Sequence, residues 1–184
     1  MKDFYRDHPE FSQCGLNCLL CPMKLGEYCP GCGGGRGNQS CAIARCAVRQ
    51  GVGEFCTQCA QFPCEQYERM MEYDSFVPHS RMIQDLRWAE TLGLADYIAQ
   101  LKEKRGILDH MLACWNSGRC KSFYCLAAYL LDLNDLRHDM SVIQARVSDE
   151  MPVKEKALIA VGVVKATAEA QGVVLKLNKR PKEN

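Results

Sequence analysis

The chain has 184 residues, of which 47% are hydrophobic, and its 23 Lys and Arg nearly balance 22 Asp and Glu, a composition ordinary for a globular protein with a sizeable core. The longest uncharged apolar run, residues 157–164, is far shorter than the roughly 20 residues a membrane-spanning helix needs. The start, MKDFYRDHPE, mixes both charge signs with no apolar stretch behind it, so it does not read as a secretory signal and a cytoplasmic protein is expected.

Ten of the 13 cysteines lie between Cys14 and Cys64, in a region with glycine clusters and few large apolar side chains. Beyond Cys64 the pattern turns helical. PCEQYERMMEY opens with Pro63, a residue suited to the first turn of a helix. SRMIQDLRWAETLG spaces Met82, Ile83, Leu86 and Ala89 on one helical face and stops at Gly93. LADYIAQLKEKRG predicts a helix ending at Gly106, and ILDHMLACWNSG another closed by Gly118. KSFYCLAAYLL is apolar around most of its circumference, which predicts the most buried helix. NDLRHDMSVIQARV and MPVKEKALIAVGVVKATAEAQG follow as amphipathic helices. The alternating VVLKLN, residues 173–178, reads as one short strand, and KRPKEN as a solvated tail. The expected fold is mainly α, with a small irregular metal-stapled module over residues 1–64. A helical domain with one short C-terminal β-strand follows over residues 65–184.

In a reducing compartment a dense cysteine pattern points to metal binding or catalysis, whereas a disulfide framework would require export. The ten run as C-x3-C-x2-C-x7-C-x2-C-x8-C-x4-C-x9-C-x2-C-x4-C. Three of the intervals are CxxC, the spacing that lets two thiolates from one tight turn reach the same ion. The stretch CPGCGGGRGNQSC, residues 29–41, has no large apolar side chain to anchor it, so a metal is expected to hold it. With so few large apolar residues in residues 1–64, a staple is also expected on energetic grounds. Cys14, Cys18, Cys21, Cys29, Cys32, Cys41, Cys46, Cys56, Cys59 and Cys64 are the candidate ligands. The simplest allocation gives one site to Cys18, Cys21, Cys29 and Cys32 and a second to Cys41, Cys46, Cys56 and Cys59. Because spacing constrains partners only within a knuckle, Cys14 or Cys64 can displace a member of either set. Two zinc ions are the first expectation, since paired knuckles are a common structural zinc arrangement. The alternative is an iron–sulfur cluster, favoured by the compact CGLNCLLCP triplet with its Cys-Pro ending. The same triplet matches the cluster motif of radical S-adenosylmethionine enzymes, but the helical remainder lacks the run of strands their barrel requires.

Taken together, CGLNCLLCP, CPGC, CAIARCAVRQGVGEFCTQCAQFPCE and GRCKSFYC resemble a family of uncharacterised prokaryotic cysteine-rich proteins, described as a domain of unknown function with a proposed N-terminal zinc site. The resemblance covers most of the chain. It implies metal binding by the N-terminal cysteines and supplies no reaction. In its pattern the position of Cys120 is often serine, which implies no required role for Cys120, while Cys125 fits the pattern better.

Two further groupings arise in the helical half. His110 and Cys114, at i and i+4, could join Cys120 and Cys125 in a third metal site, although no CxxC is present there. In SGRCKSFYC a helix start flanked by Arg119, Lys121 and Ser122 is a candidate anion site for a carboxylate or phosphate. The competing reading is a plain helix cap with surface ion pairs. HExxH, P-loop, GxSxG and GxGxxG motifs are all missing from the sequence, and no catalytic residue is assigned. Charges in residues 1–64 nearly balance and each tetrathiolate zinc site adds about −2, which disfavours nucleic acid as a partner. The reading is a zinc-stabilised binding module for a protein or a small anionic ligand, with an iron–sulfur or thiol-dependent redox protein as the alternative.

Overall fold

The structure, a computed structural model, describes residues 1, 3–39 and 41–181. Among them the chain forms eight α-helices in two compact units, Met1–Ala99 with the segment that begins at Leu177, and Gln100–Lys176. Residue 64, where the composition changes, lies inside the first unit.

The first unit starts with an irregular cysteine-rich segment carrying two 3-10 turns, Cys18–Leu20 and Cys56–Gln58. Between them lie α1 (Pro22–Leu25) and α2 (Ala42–Gln50), the latter a short amphipathic helix that buries Ile43, Ala44 and Ala47. Then come α3 (Glu65–Met71), α4 (Met82–Leu92) and the first turns of α5 (Leu94–Cys114). Phe11 is fully buried, with its ring 5.3 Å from Phe55 and 4.8 Å from Tyr97. A polar thread runs beside it. The Asn17 side-chain amide donates to Asp85 at 2.8 Å, and the Tyr97 hydroxyl donates back to Asn17 at 3.0 Å, all three residues being buried. Burial strengthens each of these bonds and makes a lost partner costly. Gly15, at φ +93°, brings the backbone so close to α4 that a Cβ there would stand 2.1 Å from the Met82 carbonyl oxygen. The cysteine-rich segment and α4 therefore share one core.

The expected strand at residues 173–178 does not form. A lone strand has no ladder to satisfy its amides, and among the described residues β-type pairing is confined to one bridge between Tyr5 and Gly34. The segment is instead fastened by Asn178. Its amide donates to the Asp74 carboxylate at 2.7 Å, the Asp74 amide donates to its carbonyl at 2.7 Å, and its side chain donates to the Glu72 carbonyl. Part of the expected solvated tail is engaged too. Lys179 donates to the Ser75 carbonyl and the Arg180 guanidinium lies over the Tyr73 ring, while residues 182–184 fall outside the described residues.

The second unit holds the rest of α5 with α6 (Lys121–Leu130), α7 (Leu133–Arg146) and α8 (Val153–Ala170). The helix expected to end at Gly106 continues through it to Cys114. One interior glycine costs about 1 kcal/mol relative to alanine, and Leu101, Leu108 and Met111 bury the same helix on both sides of it. α6 is heavily buried through Tyr124, Cys125, Ala127, Ala128 and Tyr129, as its apolar circumference predicts. The Tyr124 hydroxyl finds its partner in the Trp115 carbonyl at 2.9 Å. α7 packs against α8, with Leu136, Ile143, Ala160 and Val164 among their buried residues and the Thr167 hydroxyl donating to Asp139 between them. Among the described residues no helix is long and apolar enough to cross a membrane.

Candidate metal centre

None of the thirteen cysteines is joined in a disulfide. Among the described residues no three Cys, His, Asp or Glu side chains already converge at coordination distance. Eight of the ten N-terminal thiols nevertheless fall into two neighbourhoods, six of them through the local geometry of CxxC pairs. In two of the three knuckles the backbone makes the same bond: the Cys21 amide donates to the Cys18 carbonyl and the Cys59 amide to the Cys56 carbonyl, each at 3.0 Å. Each is a single 3-10 turn that leaves the second cysteine extended.

The first neighbourhood contains Cys18, Cys21, Cys29 and Cys32. Burial pushes the Cys18 thiol up to about 12, reinforced by the charge that Cys32, Cys21 and Cys29 would carry, while the Cys32 amide opposes the rise by donating to the sulfur. Burial raises Cys21 as well, opposed by the amides of Met23 and Lys24 in the first turn of α1. Cys32 is raised by burial and lowered by the Arg6 guanidinium and the Gln13 amide. Amides aimed at sulfur are the outer-shell groups that orient and stabilise a thiolate ligand.

The second neighbourhood surrounds a cavity of about 40 Å³ whose walls include Cys46, Cys56, Cys59, Cys64 and Tyr67. Burial lifts the Cys56 thiol to about 11, helped by Cys64, Cys59 and Cys41 and opposed by the Tyr67 hydroxyl. Cys14 is buried. Its thiol is raised well above the ordinary value by burial and then by Cys41, with smaller contributions from Cys32 and Cys18, and the Ser12 hydroxyl stands 3.1 Å away. The donor set is all thiol, its amides point at sulfur, and the cavity brings together side chains of three elements. This chemistry fits a soft, thiophilic cation.

Arg6, which the sequence does not single out, anchors the glycine-rich stretch. Its side chain is 3% exposed and donates to the carbonyls of Cys32, Phe11, His8 and Glu54 while its guanidinium pairs with the Glu54 carboxylate at 3.0 Å. Gly31, at φ +96°, faces the Pro9 carbonyl at a distance no side chain could tolerate. The stretch is thus held at Gly31 and Cys32 by close backbone packing and a buried cation, whatever its thiols bind.

Among the described residues His110, Cys114, Cys120 and Cys125 form no group that could hold a metal ion. His110 packs edge-on against Trp115, with ring centroids 5.0 Å apart, Cys114 is exposed and Cys125 is buried. Arg119, Lys121 and Ser122 lie exposed around the start of α6, where Cys120 is the N-cap and no side-chain bond closes the helix.

The raised thiols hold their protons at neutral pH, and a cation binds thiolates, so metal uptake near neutral pH should release protons, read by calorimetry in buffers of different ionisation enthalpy. Uptake with no proton release would contradict this. No family model, curated protein or solved structure gives a significant match to the chain.

Proposed function

We propose that the chain is a zinc-stabilised binding module, with about two ions held by thiolates of the first unit. The observation that supports it best is the pair of identical 3-10 knuckles at Cys18–Leu20 and Cys56–Gln58, with amides directed at the sulfurs of the first neighbourhood. The metal supplies the cross-link that a segment poor in large apolar side chains lacks. The contact surface is the exposed aromatic set of the same unit: Tyr5 and Tyr28 are over 70% exposed, and Trp88 is half exposed. Aromatic side chains of this kind bring large contact area at low entropic cost.

Elemental analysis of the purified protein should give about two zinc per chain and no visible absorption. Stoichiometric iron with acid-labile sulfide and a brown colour would replace the reading with an iron–sulfur protein. Absence of stoichiometric metal after anaerobic preparation would remove the metal from the fold.

A further inference from the structure

The second neighbourhood contains a buried hydroxyl without a hydrogen-bond partner among the described residues. Tyr67 is 2% exposed, and its hydroxyl is buried with no hydrogen bond that meets ordinary geometry. Such groups are uncommon, and each calls for a physical account. The ring itself is well placed, edge-on to Phe62 with centroids 5.3 Å apart, so the residue is not misplaced as a whole. Its hydroxyl stands at the Cys56 thiol, in the cavity also lined by Cys46, Cys59 and Cys64.

The topology explains how these side chains meet. Cys46 projects from α2, Cys56 and Cys59 come from one knuckle, and Cys64 is the N-cap residue of α3. Tyr67 lies one turn later, its amide donating to the Cys64 carbonyl at 2.9 Å. A neutral thiol is a weak acceptor, whereas a thiolate bound to a cation accepts a strong, charge-assisted bond. The unsatisfied hydroxyl thus has the partner it lacks once Cys56 is a metal ligand.

We propose that Cys46, Cys56, Cys59 and Cys64 form one tetrathiolate metal centre, and that the Tyr67 hydroxyl is its positioning donor, hydrogen-bonded to the Cys56 sulfur. This rests on the reading of the chain as a metal-binding protein and assigns Cys64, rather than Cys41, to the second site. Tyr67 touches a ligand and not the ion, so its effect is on affinity and on the electronic environment of the sulfur.

The wild-type protein is loaded with NMR-active cadmium, and couplings from each cadmium to cysteine β-protons are recorded. One resonance coupled to Cys46, Cys56, Cys59 and Cys64 is expected. Coupling to Cys41 in place of Cys64 overturns the ligand set while leaving metal binding intact. Failure to take up any stoichiometric thiophilic metal overturns the underlying reading as well. Tyr67→Phe keeps the ring and removes only the oxygen. It should retain the same number of ions at saturation, bind the ion of this centre about 10- to 100-fold more weakly in competition with a chelator, and shift the sulfur-to-metal charge-transfer band of the cobalt-substituted protein. Unchanged affinity together with an unchanged band overturns the donor role. Should the variant fail to fold, a direct coupling or slowed exchange of the Tyr67 hydroxyl proton in the cadmium-loaded wild type carries the same test: a freely exchanging hydroxyl overturns it.

Discussion

Chelation of the metal-loaded protein is expected to unfold the whole first unit, α3 and α4 included, while α6, α7 and α8 keep their amide protection. The reason lies in shared contacts. Asn17 sits between Cys14 and Cys18 and is bonded to Asp85 of α4 and to Tyr97 of α5. Gly15 lies directly against the Met82 carbonyl, and Tyr67 of α3 faces the thiols of the second neighbourhood. A structural zinc site contributes on the order of 10 kcal/mol of apparent folding free energy, comparable with the whole stability of a typical domain, about 5–15 kcal/mol. Losing it leaves α3 and α4 without the partner that buries Asp85 and Tyr67. Hydrogen exchange followed by mass spectrometry reads the result peptide by peptide. Protection surviving in residues 82–92 after complete metal removal would show that α4 has a core of its own.

A second large effect is expected at Arg6. Replacement by methionine keeps the apolar stem but removes a guanidinium that serves carbonyls at Phe11, His8, Cys32 and Glu54 and pairs with the Glu54 carboxylate. Deleting one member of a largely buried pair costs about 3–5 kcal/mol. The lower end is expected here, because Glu54 is 24% exposed and can regain water. Glu54→Gln should cost less, since the carbonyl contacts remain. Denaturant midpoints of the metal-loaded variants give both numbers. Arg6→Met with a loss under 1 kcal/mol would mean that the glycine-rich stretch is held by its thiols alone. Arg6 also lowers the Cys32 thiol, so the same variant should weaken metal retention at the first neighbourhood.

How much of this is legible in the sequence depends on the range of the interaction concerned. α4 and α6 read correctly because their apolar spacing and their end residues are local. The tight turns at Cys18 and Cys56 are legible for the same reason, since CxxC spans a single turn. α5 does not, because Gly106 resembles a stop signal and only the packing of Leu101, Leu108 and Met111 shows that the helix continues. The alternation of residues 173–178 is a true period-2 pattern, yet a strand needs a neighbour that no other segment supplies among the described residues. Which cysteines share a site is illegible because it depends on how α2 and α3 approach one another. Arg6 carries no local signal at all: an arginine in a polar N-terminal segment looks like a surface residue until Cys32, 26 positions away, is brought to it. Tyr67 reads as one aromatic on a short helix, and its place three residues after Cys64 is the nearest thing to a warning.

The fastening of Asn178 to Asp74 and Glu72 bears on the order in which the molecule can be completed during synthesis. Both ends of Gln100–Lys176 are attached to the first unit, so Asn178 leaves the ribosome only after every residue of the second unit. Residues 14–64 emerge long before that, with thiols available to metal or oxidant while residues 65–178 are still being made. At about 5–20 residues per second, the interval from Cys64 to Asn178 lasts on the order of 6–20 seconds. On the proposed reading as a zinc protein, a cation captured in that window would order the thiols while the closing contacts at Asp74 and Glu72 do not yet exist, and metal supply to the nascent chain would set how long the cysteines stay unprotected.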